Sequence, residues 1–289
     1  MRITNSMMQE RLLRNLQEQG AQYLRASDQV TTGLRNSRIS DDPIAGSQVL
    51  ASDSALRAVE QYRRSVTSVQ SRQAAEESTL DQLGDLLSRA KELATAQGSA
   101  TGNPATRAAA AVEVQSLIDQ AISLGNLRFG NDYLFGGLAT DAPPFQPNGT
   151  YVGTPTGRQA EVGDGILVDT VHSGEELLVT SGVLTSLTAL RDALTANNPS
   201  GVLASGGPLD TAFNATQITL TEVGARTRNL ELTTGSLTAL QTALDAKRSA
   251  AAEIPLEEAM LNFSAIQTAM RAAYEATSRI LQTSLTEYL

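Results

Sequence analysis

Two adjacent carboxylates, Asp41 and Asp42, and a single imidazole, His172, are the residues whose types could support acid–base or metal chemistry. Either chemistry needs such groups converging on one point. Neighbouring residues on a helix do not face each other, and no histidine, cysteine or further acidic cluster joins the pair in sequence. Ser40-Asp41-Asp42-Pro43 reads instead as a helix start. It offers an N-cap, carboxylates where the helix dipole favours them, and Pro near the first helical position. His172 has no second imidazole with which to share a metal, so a surface position is expected. Gly136-Gly137 follows neither a P-loop nor a dinucleotide-binding pattern and reads as turn chemistry. The chain has no cysteine, hence no thiolate and no disulfide. The expectation is no catalytic residue, no cofactor and no metal.

Charge and composition narrow the classes further. A net charge of −9 disfavours nucleic acid and anionic membranes as partners. No apolar run reaches the ~18 residues of a membrane span. The start, Met1-Arg2-Ile3-Thr4-Asn5, lacks the apolar stretch of a secretory signal. Aromatic residues make up 4% of the chain and Trp is absent, which suits an elongated shape with thin cores.

The elements that must carry these residues are mostly helical. Residues 1 to about 38 show helical spacing, and Pro43 forces a break or a new start. From about 44 to 98, Leu56, Val59, Tyr62, Val66, Val69, Gln73, Glu76, Leu80, Leu83, Leu87, Ala90 and Ala94 alternate by three and four. That is a coiled-coil seam, with Gln73 and Glu76 as polar breaks in it. A further helix is expected over about 104–124. Residues 136–207 hold 12 of the 22 glycines and read as β-like runs between turns, notably 150–152 and 166–171, closed by a helix over about 183–196. From Leu209 the seam returns, and Pro255 interrupts it before a last helical segment. The fold class expected is mainly α: an antiparallel coiled-coil or helical-bundle rod built from both chain ends, with a small β-rich insertion. The domains expected are a terminal helical assembly domain of 1–43 plus 255–289, a helical rod of 44–135 plus 208–254, and the insertion 136–207.

Both terminal segments carry an apolar stripe: Leu12, Leu16, Tyr23, Val30 and Leu34 at one end, Met260, Phe263, Ile266, Met270, Ile280 and Leu285 at the other. All five methionines lie in these segments, and Met adapts to varied neighbours. One amphipathic helix alone is marginal in water, so each stripe needs a partner surface. Either the two ends pair within one molecule or other subunits complete them. Phe129, Tyr133 and Phe135 leave a similar choice between a partner surface and a small core beside the insertion.

Several segments, in order, carry a family resemblance. Met1-Arg2-Ile3-Thr4-Asn5-Ser6-Met7 opens the chain, and Gly33-Leu34-Arg35 precedes Ile39-Ser40-Asp41-Asp42-Pro43-Ile44-Ala45-Gly46. Leu87 through Gln97 follows, then Gly125 through Gly137 ending Tyr133-Leu134-Phe135-Gly136-Gly137, then Val223 through Leu230, and Ala272 through Leu289. In these the chain resembles the flagellin-like family, and within it the branch of hook-associated protein 3, the second hook–filament junction protein. Glu253-Ile254-Pro255 departs from the pattern, where a polar, helix-compatible stretch is expected. The resemblance implies a structural role in an extracellular bacterial flagellum and export without a cleaved signal peptide. It implies four partners: the first junction protein, filament flagellin, a ring of like subunits and an export chaperone. Filament flagellin itself and a coiled-coil type III translocator are the alternative readings.

Overall fold

Helix breaks fall where Gly and Pro stand. The computed structural model describes residues 5–99 and 102–286, and the opening Met1–Thr4 and closing Glu287–Leu289 lie outside them. Helix α1 (Asn5–Thr32) ends at Gly33, whose φ of +69° is the left-handed cap conformation that glycine adopts at least cost. The helix expected to run to about residue 38 therefore stops about six residues early. Helix α2 (Pro43–Gln97) starts on the expected proline. Helix α3 (Pro104–Gly125) starts on another, with the Asn103 side chain accepting from the Ala105 amide.

The middle of the chain holds two small antiparallel sheets. Strands β1 (Arg128–Phe129) and β2 (Asp132–Tyr133) form one, β3 (Gln159–Gly163) and β4 (Ile166–Asp169) the other. Of the expected run 150–152, Tyr151 alone pairs, in an isolated bridge to Phe145. The rest of the segment is turns, a six-residue π-helical turn (Glu175–Thr180), helix α4 (Val183–Thr195) and the short helix α5 (Pro199–Ala204). Side chains do here what strand ladders would do elsewhere. Asn126 both donates to the Phe145 carbonyl at 3.0 Å and accepts from its amide at 2.9 Å. The Tyr151 hydroxyl donates to the carbonyls of Phe135 at 3.2 Å and Thr154 at 2.8 Å. Helices α6 (Gly206–Ala252) and α7 (Leu256–Thr286) complete the chain, broken at Pro255 as expected.

The chain divides into two compact units, Met1–Ala58 with Ala239–Leu289, and Val59–Thr238. In the larger unit α2 and α6 run antiparallel. Thr227 donates to Gln73 Oε1 at 3.2 Å, and Lys91 pairs with Asp210. The seam read from sequence is the buried line of α2, with Val59, Val66, Val69, Gln73, Glu76, Leu80, Leu83, Leu87, Ala90 and Ala94 all out of solvent. Its facing positions on α6, Leu209, Thr216, Val223, Leu230 and Leu237, are buried as well. One core cluster joins the second half of α2 to α3, α4, the start of α6 and the aromatic residues Phe135 and Phe145. At Tyr62 the cover comes from the β3–β4 hairpin. Val162 is buried, and burial first, then the charges of Glu161 and Asp164, hold the Tyr62 phenol above its ordinary value.

Two glycines in this unit test the packing in opposite directions. A β-carbon on buried Gly125 would stand 2.7 Å from both Leu178 Cδ1 and Phe145 Cδ2, whereas one on Gly224 of α6 meets nothing within 4 Å. Gly125→Ala is expected to lower unfolding stability by about 1–3 kcal/mol through overpacking. Gly224→Ala is expected to raise it by up to about 1 kcal/mol through helix propensity. Urea denaturation of both variants beside the parent, followed by far-UV circular dichroism, reads the two signs.

Candidate assembly surface

In the smaller unit α1 and α7 lie antiparallel along the two terminal stripes. The Tyr23 and Phe263 rings meet with centroids 5.2 Å apart, tilted by 38°. Leu12, Leu16, Tyr23, Val30, Phe263, Ile266 and Met270 are half-buried in this pair, and Ala26 and Ala259 are buried. Much of the stripe is thus covered by the chain's own other end. Met260 points outward and is exposed. Ile280 and Leu285 fall outside the residues whose side chains are described.

A second apolar set lies off the stripe. Leu13, Leu24, Leu256, Met260, Leu261 and Tyr274 are each more than half exposed. Leu13 and Leu24 are about three helical turns apart, and Leu256 and Tyr274 about five, so each pair shares one side of its helix. Sequence reasoning selected the stripe that pairs α1 with α7 and passed over most of this outward set. The signal was a large apolar residue recurring at whole-turn spacing outside the three–four alternation.

The two helix breaks of this unit are hydrogen-bonded to each other. Leu34, counted on the helical stripe in the sequence, lies past the end of α1 and bridges to Glu253. The Arg35 amide donates to the Ala252 carbonyl at 2.8 Å, and the Ile254 amide to the Gly33 carbonyl at 3.0 Å. The Gln29 side chain adds a bond to the Arg35 carbonyl at 2.7 Å. Ile254 is buried beneath this link, and Pro255 follows, needing no donor, where α7 begins. The segment that departs from the family pattern is therefore a strand-like clasp between α6 and α7.

Asp42 is the cap expected of it: its Oδ1 accepts from the amides of Ile44 at 3.1 Å and Ala45 at 3.0 Å. Ser40, Asp41 and Pro43 are exposed beside it. Gly46 lets the loop fold onto the first turn of α2, since a β-carbon there would stand 2.7 Å from Ile39 Cγ2. The corner borders a groove of about 230 Å³ lined by Leu34, Ile39, Val49, Leu50 and Ala252. Asn36, Ser37, Arg38, Asp42 and Arg248 also line it, so the groove is of mixed character.

The motif Tyr133-Leu134-Phe135-Gly136-Gly137 works in the larger unit as a plug. Leu134 and Phe135 enter the core, and the Phe135 carbonyl accepts from the Gly174 amide at 2.9 Å. The Gly136 carbonyl accepts from the amides of Ala139 at 3.2 Å and Thr154 at 3.1 Å. A side chain on either glycine would collide with backbone, at Ala139 for Gly136 and at Thr154 for Gly137, whose φ is +67°. Phe135 is core, while Phe129 and Tyr133 are half-buried under guanidinium groups, Arg72 at 5.1 Å and Arg128 at 5.3 Å. Asp132 sits between Arg72 at 3.2 Å and Arg158 at 3.0 Å, and the Arg72 hydrogen bond above all holds its carboxyl below the usual range.

Two buried ionic groups escaped the sequence reading. His172 is not at the surface: it is 8% exposed, with Nδ1 2.7 Å from Oε1 of fully buried Glu76. The polar breaks Gln73 and Glu76 thus stay inside the seam and find partners there. Arg107 is also buried, donating to the Gln97 carbonyl at 3.1 Å, the Ser99 carbonyl and Asn197 Oδ1 at 2.6 Å. A cation at the C-terminal end of α2 meets the negative end of the helix dipole. The signal for both would have been a titratable residue in an otherwise apolar line.

The aromatic contact between the terminal helices supplies a direct test of their pairing. In a double-mutant cycle, Tyr23→Ala and Phe263→Ala are expected to couple by about 0.5–1.5 kcal/mol. Thermal unfolding of the two single variants and the double variant measures it; additive effects would mean that the rings do not meet.

Comparison with known proteins accounts for both ends of the chain. Residues 3–140 match the bacterial flagellin N-terminal helical region and residues 207–289 its C-terminal helical region. Flagellar hook-associated protein 3 of Salmonella typhimurium is 31% identical over 179 residues, 61% of this chain and 56% of that protein. The match therefore spans little more than half the length of that relative. Among solved structures, FlgL of Bacillus cereus superposes with a TM-score of 0.61 at 24% identity, covering 68% of this chain and 98% of that one. The flagellar junction protein FlgL of Legionella pneumophila gives 0.58 at 14% identity, covering 71% and 100%. At those identities the likeness is one of fold. With the two flagellin regions matched in order on either side of the middle segment, the chain belongs to the bacterial flagellin family.

Proposed function

We propose that this chain is a structural component of the bacterial flagellum, a junction protein connecting hook to filament by helical subunit packing, and not an enzyme. The observation that carries the reading is the outward apolar face of α1 and α7, with Leu13, Leu24, Leu256 and Tyr274 all exposed on helices that already pair with each other. Neighbouring subunits would cover that face and deepen the burial of Leu12, Leu16, Tyr23, Val30, Phe263, Ile266 and Met270. The similarity to flagellar hook-associated protein 3 favours a junction over the filament itself.

In this reading residues 1–43 and 255–289 are the assembly domain, 44–135 and 208–254 the rod, and 136–207 an insertion. The partners are the first junction protein, filament flagellin, further copies of the chain, and a chaperone during export to the extracellular flagellum. A membrane translocator is disfavoured, since among the described residues no helix is long and apolar enough to cross a membrane.

Deletion of 256–289 is expected to leave hooks intact and release filaments into the medium. The pair Leu24→Asp and Tyr274→Asp is expected to do the same while the monomer keeps its helical circular dichroism. Electron microscopy of the cells and of shed filaments reads both. Normal motility with attached filaments in these strains would defeat the junction reading. A copy number in the thousands per flagellum would point to filament flagellin instead.

A further inference from the structure

We propose that Glu76 and His172 form a proton-loaded latch that seats the segment 170–176 on α2 while the imidazole is protonated and loosens it as pH rises. Glu76 lies within the buried seam of α2, where a carboxylate has no solvent to stabilise its charge. Its Oε1 accepts twice from one residue, from the His172 amide at 3.0 Å and at the ring Nδ1 at 2.7 Å. Glu76 Oε2 and His172 Nε2 are both buried without a hydrogen-bond partner. With a neutral imidazole the buried carboxylate loses the cation in direct contact with it.

The surrounding charges divide by element. From α2 comes Glu76; from α6 come Glu222, whose Oε2 is 3.5 Å from Nε2, and Arg226; from the π-helical turn comes Glu176. Burial pulls the imidazole value down, and Arg226 adds to that, but the hydrogen bond and charge of Glu76, with Glu176, outweigh them and hold it above its ordinary value. A histidine whose folded value is raised stabilises fully below its unfolded value of about 6.5, and that stabilisation is lost as pH rises through the folded value. The segment it holds is linked onward. Thr170 bonds the Arg158 carbonyl at the edge of β3 through both its amide and its hydroxyl, and the Gly174 amide bonds Phe135 of the core plug. Opening at His172 would therefore loosen the hairpin and the plug together.

His172 is the only histidine, so one imidazole signal in the full-length protein reports on it without assignment. A nitrogen-15 NMR titration is expected to give a midpoint above about 6.5 in the parent and a lower one in Glu76→Gln. Hydrogen exchange of amides 170–178, corrected for intrinsic rates, should show opening that increases about tenfold for each pH unit by which the midpoint is raised, on going from about pH 6 to pH 9. His172→Gln should remove that pH dependence. A parent midpoint at or below about 6.5, or an unchanged exchange profile in His172→Gln, overturns the latch. The parent titration needs no variant, so a misfolded variant does not shield the proposal.

Discussion

The structure depends on one constraint: the seam of α2 must be covered along its length, and α6 alone cannot do it. A single antiparallel partner gives each seam residue neighbours on one side only. In the larger unit the remaining sides are closed piecemeal. Helices α3 and α4, with Phe135 and Phe145, close the stretch around Leu80, Leu83 and Leu87, which have no exposed surface. The β3–β4 hairpin closes the stretch near Tyr62, bringing Glu161 and Asp164 beside it. The middle segment is therefore cover for a coiled coil that would otherwise be too thin. That explains why it needs little regular strand.

Where two covers meet, the seam turns polar. Gln73 bonds Thr227 of α6, and Glu76 bonds His172 of the middle segment. Buried polar groups in a seam commonly cost stability relative to apolar ones, but they penalise slipped pairings. Gln73 thus ties α2 to α6, and Glu76 seats the segment that crosses them. Arg107 does comparable work at the far end of α2, where it joins the last turn to Asn197 beyond α4.

The local parts of this design were legible in the sequence. The three–four alternation gave the seam residue by residue, and Pro43, Pro104 and Pro255 gave helix starts. Asp42 was readable as a cap because capping needs only the next three residues. What escaped was non-local. Glu76 and His172 are 96 residues apart, so each taken alone looked like a fault in the seam and a surface histidine. Asn126 stands in for a strand at Phe145, which no period-two pattern reveals. The outward leucines of α1 were hidden by the stronger stripe beside them. The stripe finds the partner within the chain, and it says nothing about a second face.

That second face follows from a difference in layering between the units. In the larger unit the seam residues reach full burial because a third layer lies on the helix pair. In the smaller unit, among the described residues, Ala26, Ile254 and Ala259 are the buried apolar positions, and the larger side chains of α1 and α7 stay half-covered. Antiparallel pairing orders the two helices and, with the clasp at Leu34 and Glu253, sets the angle at which they leave the breaks. It leaves much of the apolar surface of Leu13, Leu24, Leu256 and Tyr274 in water, where each side chain forgoes roughly 1–2 kcal/mol of burial. A neighbour that laid its own terminal pair against this face would recover that free energy at every contact. The proposed polymer is the missing third layer, supplied by other copies in place of the covering helices and hairpin that the larger unit carries for itself.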